Sequence, residues 1–302
     1  MKLLQIAGSD PQSVLIFGLG LIGGAVNRAL QQWCQGNVRE FAYDWQDEAE
    51  RHLQRSAIQA ALPQSGRLTI AWTGGQSGFA SSPEEMGRES QIVTELIDMA
   101  RALSDQGRCV DFHLLSSAGG LFEGQTHCGR DSIPMPLRAY GEGKRQQEAS
   151  LKRASGLNRR LIYRPSSVYG ISRSQRIGLV TALIGNAALG RTTRIFGNMN
   201  TLRDYVFADD IGQYMARMIL SGGRSEEVET LLLANGRSAS VSEVISHIRE
   251  RMGRPLLLQF DPHPTNVRNM SFLPSALPAD WRPTSLGSGI ARIVTAVRNS
   301  PA

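Results

Sequence analysis

Val14-Leu15-Ile16-Phe17-Gly18-Leu19-Gly20-Leu21-Ile22-Gly23 is the stretch that decides the fold. Four apolar residues read as a buried strand, and three glycines in the spacing G-x-G-x-x-G make a turn. Ile22 to Trp33 then reads as a helix. Three spaced glycines alone are a weak signal; the strand before and the helix after make it strong. Each glycine has its own physical task. Gly18 permits a tight turn, Gly20 lets the backbone approach a pyrophosphate, and Gly23 lets the helix pack close to the strand. The helix N-terminus favours negative charge. The stretch therefore predicts a dinucleotide cradle, with Leu21 and Ile22 as further contacts.

Outward from this turn, Arg39 to Tyr43 reads as a second strand ended by Asp44, 21 residues after Gly23. A carboxylate at that distance accepts from both ribose hydroxyls of NAD and opposes a 2′-phosphate, which predicts NAD over NADP. Trp45 and Gln46 follow it, and no Arg does. Glu48 to Leu62 reads as a helix and Leu68 to Trp72 as a strand. The glycine-rich loop Thr73 to Gly78 comes next, with Thr73 and Gly74 expected beside the cofactor. Pro83 to Leu103 is a helix with apolar spacing at Ile92, Leu96, Met99 and Leu103, and Cys109 to Leu115 is a strand. This alternation implies βαβ units. The fold class is α/β, a Rossmann-type doubly wound parallel sheet with a smaller C-terminal substrate-binding part. Residues 1–170 form the NAD-binding domain, with 206–236 returning to it. Residues 171–205 and 237–302 form the smaller part, where Ser242 to Met252 reads as a helix capped by Ser240 or Ser242. Arg254 to Pro283, with six prolines, reads as an irregular lobe.

Composition narrows the function classes. The chain has 302 residues, 41% hydrophobic and 20% charged, enough for a substantial core without staples. No stretch reaches the length of a membrane span, and residues 1–12 lack the apolar run of a secretory signal. Three widely spaced cysteines, Cys34, Cys109 and Cys128, suit free thiols in a reducing, cytoplasmic setting and offer no metal site. A net charge of +6 is compatible with an anionic ligand. The basic residues are dispersed, with no interleaved aromatic stripe, which disfavours nucleic acid as a partner.

The reactive chemistry is read at Tyr140-Gly-Glu-Gly-Lys144, where positions i and i+4 share a helix face. An ammonium beside a phenol favours phenolate, which suits the phenol to removing an alcohol proton. A third member is expected at the end of the preceding strand, where ligands collect in parallel sheets. Phe112-His-Leu-Leu-Ser116-Ser117 supplies two hydroxyls there, and the choice between Ser117 and Ser116 stays open.

Further motifs follow in order: Tyr163-Arg164-Pro165-Ser166-Ser167-Val168-Tyr169-Gly170, then Leu202-Arg203-Asp204-Tyr205-Val206-Phe207-Ala208-Asp209-Asp210-Ile211, and late Asp280-Trp281-Arg282-Pro283. With the glycine turn, Asp44, the serines and the Tyr/Lys pair, the set spans nearly the whole chain. It resembles the extended short-chain dehydrogenase/reductase superfamily, in its NAD-dependent epimerase/dehydratase family. The resemblance implies that Tyr140, Lys144 and Ser117 (Ser116 as the alternative) are catalytic. It implies that Arg164, Pro165, Ser167 and Val168 pass the cofactor, and that Arg203 and Ser117 contact substrate. It also implies a homodimer through paired helices, including the one bearing Tyr140. A guanidinium at 203 can grip two diphosphate oxygens; the alternative is a structural pair with Asp204 or Asp209.

The expected activity is an NAD-dependent sugar-nucleotide epimerase, which oxidises a sugar alcohol to a keto sugar and re-reduces it from the other face. Polysaccharide biosynthesis is the setting the resemblance suggests. A sugar-nucleotide reductase or dehydratase is the alternative within the family, and a non-catalytic nucleotide-sensing or RNA-binding relative is the alternative from another class. The 4,6-dehydratases of the family carry an Asp-Glu pair after the strand-end hydroxyl, where this chain has Ala118-Gly119 or Gly119-Gly120. The family's late Arg-x-Gly-Asp segment is only echoed by His263-Pro-Thr-Asn266-Val267, with Arg268 the nearest arginine.

Overall fold

Residues 1–6, 11–171, 178–261 and 268–299 are described in a computed structural model of the chain, with the side chains of residues 35–37 outside that description. The echo at His263 to Val267 thus lies outside the described residues. Along the chain the first half runs β1 (Lys2–Ile6), β2 (Gln12–Phe17), α1 (Leu21–Gln31), β3 (Cys34–Glu40), α2 (Glu48–Ala61), β4 (Arg67–Trp72), α3 (Pro83–Asp105), β5 (Val110–Leu115), α4 (Ala118–Leu121) and α5 (Ala139–Arg153). The second half runs β6 (Arg159–Pro165), β7 (Ser167–Tyr169), α6 (Leu179–Ala188), β8 (Thr193–Phe196), β9 (Leu202–Phe207), α7 (Ala208–Ser221), β10 (Val228–Leu233), β11 (Ser238–Ser240), α8 (Val241–Met252), β12 (Leu258–Asp261) and α9 (Leu286–Asn299).

The central sheet has seven strands in the order β10-β6-β5-β4-β2-β1-β3. From β10 to β2 all neighbours are parallel. Every residue of β2 is buried, as befits a strand covered on both faces. Its successive side chains go to opposite layers. Leu15 and Phe17 join Trp72, Ile92, Leu96 and Phe112 on one face, while Ile16 joins Val26, Leu30, Ile211 and Met215 on the other. A third core of Tyr169, Val180, Ile184, Phe207, Val244 and Ile290 is built by α6, α8 and α9. Helix α7 contributes to the second of these cores, and β10 pairs with β6 at the edge of the sheet.

Two helix starts are local chemistry. Ser82 and Glu85 form a capping box ahead of α3, with Pro83 in its first turn, and Ser240 and Glu243 form another ahead of α8. The cap of α8 is therefore Ser240, not Ser242.

The structure corrects the expected second strand. It runs from Cys34 to Glu40, and a strand not read from the sequence, β1, lies between it and β2, antiparallel to both. The strand register ends at Lys2 with Glu40, joined by an ion pair at 2.9 Å. The proline-rich lobe is also less irregular than expected. Within it, β12 pairs in parallel with β8, and the Trp281 indole donates to the Ala234 carbonyl at 2.7 Å. The outward face of α5, one of the paired helices through which the resemblance implies a homodimer, exposes no large apolar side chain.

Candidate active site

The glycine turn shows three distinct environments. Gly18 has φ +90°, and a Cβ there would stand 2.3 Å from the Gly74 carbonyl oxygen. A Cβ on Gly23 would stand 1.8 Å from the Gly18 carbonyl oxygen. Around Gly20 nothing lies within 4 Å of where a Cβ would point. Two glycines thus close the turn, and the middle one leaves an open cradle at the start of α1. That helix has no side-chain cap and no acid in its first turn, so its N–H groups and positive end face the cradle. These features fit the pyrophosphate of a dinucleotide. Thr73 sits against the turn itself. Its hydroxyl donates back to the Phe17 carbonyl at 3.0 Å and to the Gly18 carbonyl, clamping the turn to the end of β4.

Asp44 does not end a strand. It lies four residues beyond β3, in a segment that crosses back over the end of β1 towards β2. The crossing is held by the Met1 amine on the Phe41 carbonyl at 2.8 Å and by Phe41 N–H on the Met1 carbonyl. Aromatic edges continue it, Tyr43 against Phe17 and Trp45 against Trp72. The Asp44 Oδ1 accepts from the backbone N–H groups of Gln46 and Asp47, which holds its carboxyl below the usual range. A small cavity of about 110 Å³ opens between Trp45 and the first turns of α3.

The reactive residues line a cavity of about 700 Å³ at the carboxyl ends of the strands. Tyr140, Lys144, Ser117 and Arg203 all face it, as do Ile22 and Gly74 beside the glycine turn. A larger groove, about 1050 Å³, reaches the start of β2 and β4 at Gln12 and Arg67, remote from these residues. The Tyr140 ring is seated by glycines. A Cβ on Gly120 would meet it at 2.8 Å, and one on Gly141 would meet the Gly120 carbonyl oxygen at 2.1 Å. The Lys144 ammonium stands 5.7 Å from the centre of the Tyr140 ring.

The two serines divide. Ser116 donates to the buried Glu148 carboxylate at 2.7 Å. Ser117 caps α4, its oxygen accepting from Gly120 N–H at 3.0 Å. The Ser117 proton is left for an oxygen in the cavity.

Among the expected cofactor contacts, Pro165, Ser167 and Val168 line this cavity with Ile22 and Gly74. Arg164 does not. Its guanidinium forms a two-pronged pair with Glu148 at 2.8 and 2.5 Å and faces a separate cavity beside β10. Arg203 pairs with neither Asp204 nor Asp209. Asp204 is fully buried and held by Ser166, Asn235 and Gly236, and Asp209 is held by Arg28. The Arg203 guanidinium donates to the carbonyls of Leu202 and Arg268, and burial lowers its pKa.

Three contributors went unread in the sequence. Phe79 packs 5.4 Å from the Tyr140 ring, with the Arg138 guanidinium 5.3 Å from its own ring centre. Arg138 grips Glu123 in two-pronged fashion at the cavity wall. Glu89, from α3, accepts from Lys144 at 2.9 Å. Glu89 was legible in principle. It falls three residues before Ile92 on the apolar stripe of α3, where a charge has to have a buried partner. Phe79 and Arg138 lie outside periodic segments and gave no such signal.

The profile of the NAD dependent epimerase/dehydratase family matches residues 15–231. A UDP-glucose 4-epimerase of Mycolicibacterium smegmatis is 30% identical over 141 residues, 45% of this chain and 44% of that protein. A putative UDP-glucose 4-epimerase of Methanocaldococcus jannaschii is 25% identical over 202 residues, 63% of this chain and 64% of that one. The chain thus spans about half to two thirds of these relatives' length. The Thermus thermophilus UDP-glucose 4-epimerase in complex with NAD has the same fold, with a TM-score of 0.78 at 19% identity, covering 95% of this chain and 99% of that one.

Proposed function

The chain belongs to the NAD-dependent epimerase/dehydratase family, and from this premise we propose that it is an NAD-dependent nucleotide-sugar epimerase, with a UDP-hexose as the first substrate to test. One observation carries the reading: Tyr140, Lys144 and Ser117 converge on a single cavity that also meets the glycine turn through Ile22 and Gly74.

The residues divide the work by their hydrogen-bonding capacity. Ser117, its oxygen already accepting from Gly120, donates its proton to the reacting sugar oxygen and orients it. Tyr140 takes the proton of that hydroxyl and later returns one. Lys144 supplies a fixed positive charge beneath the phenol. Bound NAD supplies the reversible oxidation at the sugar carbon. Arg203, at the other end of the cavity, offers nitrogen donors to a diphosphate. Dehydration is disfavoured because Ala118 and Gly119 follow Ser117, leaving no carboxyl group to protonate a departing hydroxyl there.

The test is incubation of the NAD-loaded protein with UDP-glucose and a panel of other nucleotide sugars, with products read by mass and NMR. An epimer of unchanged mass is expected. Loss of one water would instead mark a dehydratase. Tyr140→Phe should lower turnover roughly 10²- to 10⁴-fold without loss of fold. Full activity in that variant would refute the assignment.

A further inference from the structure

Lys144 is fully enclosed, and enclosure alone would strip its charge. Its surroundings show what prevents this. The ammonium has three N–H donors. One goes to the Glu89 carboxylate at 2.9 Å and one to the Gln147 side-chain oxygen at 3.1 Å, leaving a single donor for the cavity. Glu89 and Lys144 are 5% and 4% exposed, so this is a buried ion pair, not a surface one. The second Glu89 oxygen accepts from Ser77 N–H at 3.0 Å, in the loop that follows β4. That loop passes so close that a Cβ on Gly75 would stand 2.1 Å from the carboxylate. Helix α3, the loop over the glycine turn and the proposed catalytic lysine therefore meet at one carboxylate.

We propose that Glu89 is a positioning residue of the reaction: its carboxylate holds Lys144 as a charged ammonium under Tyr140 and ties it to the loop of residues 74–77, so that the working unit is Tyr140, Lys144 and Glu89. The inference rests on the roles assigned above to Tyr140 and Lys144. The electrostatics run the same way. Burial pushes the Glu89 carboxyl up, yet Lys144 and Ser77 hold it at about 2. Burial pushes Lys144 down, yet Glu89 above all, then Tyr140 and Glu148, holds it above the ordinary lysine value. The other charges nearby are already matched. Glu148, on α5 itself, pairs with Arg164 and Lys152, and Glu123 pairs with Arg138 across the cavity. Glu89 is thus the counter-charge whose loss Lys144 would feel most.

The chain has three lysines, Lys2, Lys144 and Lys152, so labelling lysine ε-carbons gives three resonances, and Lys144→Arg identifies one of them. The experiment is a pH titration of that resonance in wild-type protein and in Glu89→Gln, with no substrate or cofactor present. In Glu89→Gln the Lys144 midpoint should fall by about one pH unit or more, because a neutral amide leaves the ammonium buried without its counter-charge. With NAD and an active nucleotide sugar, the alkaline limb of kcat/KM should move down by a similar amount. An unmoved Lys144 midpoint, with only a lowered melting temperature, would overturn the proposal. If Glu89→Gln does not fold, Glu89→Asp decides: its shorter stem should lower the midpoint part-way, and an unchanged midpoint refutes the idea. The reading beneath it fails separately, through full activity in Tyr140→Phe.

Discussion

Gly18, Gly20 and Gly23 are the same residue type within one short motif, yet each is glycine for a different reason. At Gly18 and Gly23 a methyl group would collide with backbone, and at Gly20 it would enter the space left for a ligand. The consequence is testable. Gly20 has φ −68°, which any residue adopts, so Gly20→Ala should melt within about 1 kcal/mol of wild type while its stabilisation by added NAD falls. Gly18→Ala and Gly23→Ala should lose stability even without NAD, by roughly 1–3 kcal/mol or more, since rigid main chain has to move. Thermal melts with and without NAD separate the two patterns, and equal losses at all three positions would contradict this division. The sequence made these roles legible because G-x-G-x-x-G states a geometry. It could not choose between Ser116 and Ser117, adjacent hydroxyls at one strand end. The proposal of Ser117 rests on Glu148, a partner 32 residues away in the chain that engages Ser116. Thr73 and Arg164 were also illegible in this respect: their residue types suited a cofactor contact, while the fold sets the Thr73 hydroxyl on the Gly18 carbonyl and turns the Arg164 guanidinium to Glu148.

At the scale of elements, the alternating order and most helix limits were readable, because capping residues and apolar spacing are local signals. The interposed strand β1 was not. Lys2-Leu-Leu-Gln-Ile6 is short and has no clean alternation, since both its faces are covered, and such runs cannot be told from other buried segments by period. Its presence puts β3 one strand further from β2, about 4.8 Å more. The crossing Phe41 to Asp44 then brings Asp44 and Trp45 back towards the glycine turn. So β1 is a central strand on which the cofactor end of the site depends. Leu4 is fully buried within it, in the core shared with Val14 and Ile16 of β2 and Val26 and Leu30 of α1. Leu4→Ala should therefore cost about 2–5 kcal/mol in urea unfolding, as for a core leucine. A loss under about 0.5 kcal/mol would mean that the strand is an appendage to the sheet.

Across the whole molecule, the two ends of the parallel sheet carry different chemistry. The carboxyl ends hold the candidate site, while the amino-terminal halves of the strands hold charge: buried Asp111 on β5 and Arg159 on β6, and half-buried Arg67 on β4. His113 is sealed between them, its Nδ1 2.8 Å from the Tyr163 hydroxyl and its ring stacked on the Tyr163 ring. Burial first, then the charges of Arg159 and Arg67, hold its pKa down at about 3. The unfolded chain would protonate this histidine near pH 6.5. Below that pH the unfolded state binds a proton that the native state refuses, so stability falls as pH drops from 6.5 towards 3, by up to about 1.4 kcal/mol per unit. Glu89 adds a loss of the same sign in a lower window, from its unfolded value of 4.5 down to about 2. Between pH 6.5 and 4.5, then, His113 should dominate among these two. Urea unfolding across that interval should show a steep decline in wild type. His113→Asn, though less stable at neutral pH for its lost packing, should show a clearly flatter one. Parallel slopes in the two proteins would show that the acid sensitivity lies elsewhere, and would remove His113 as the group that sets where the fold begins to fail.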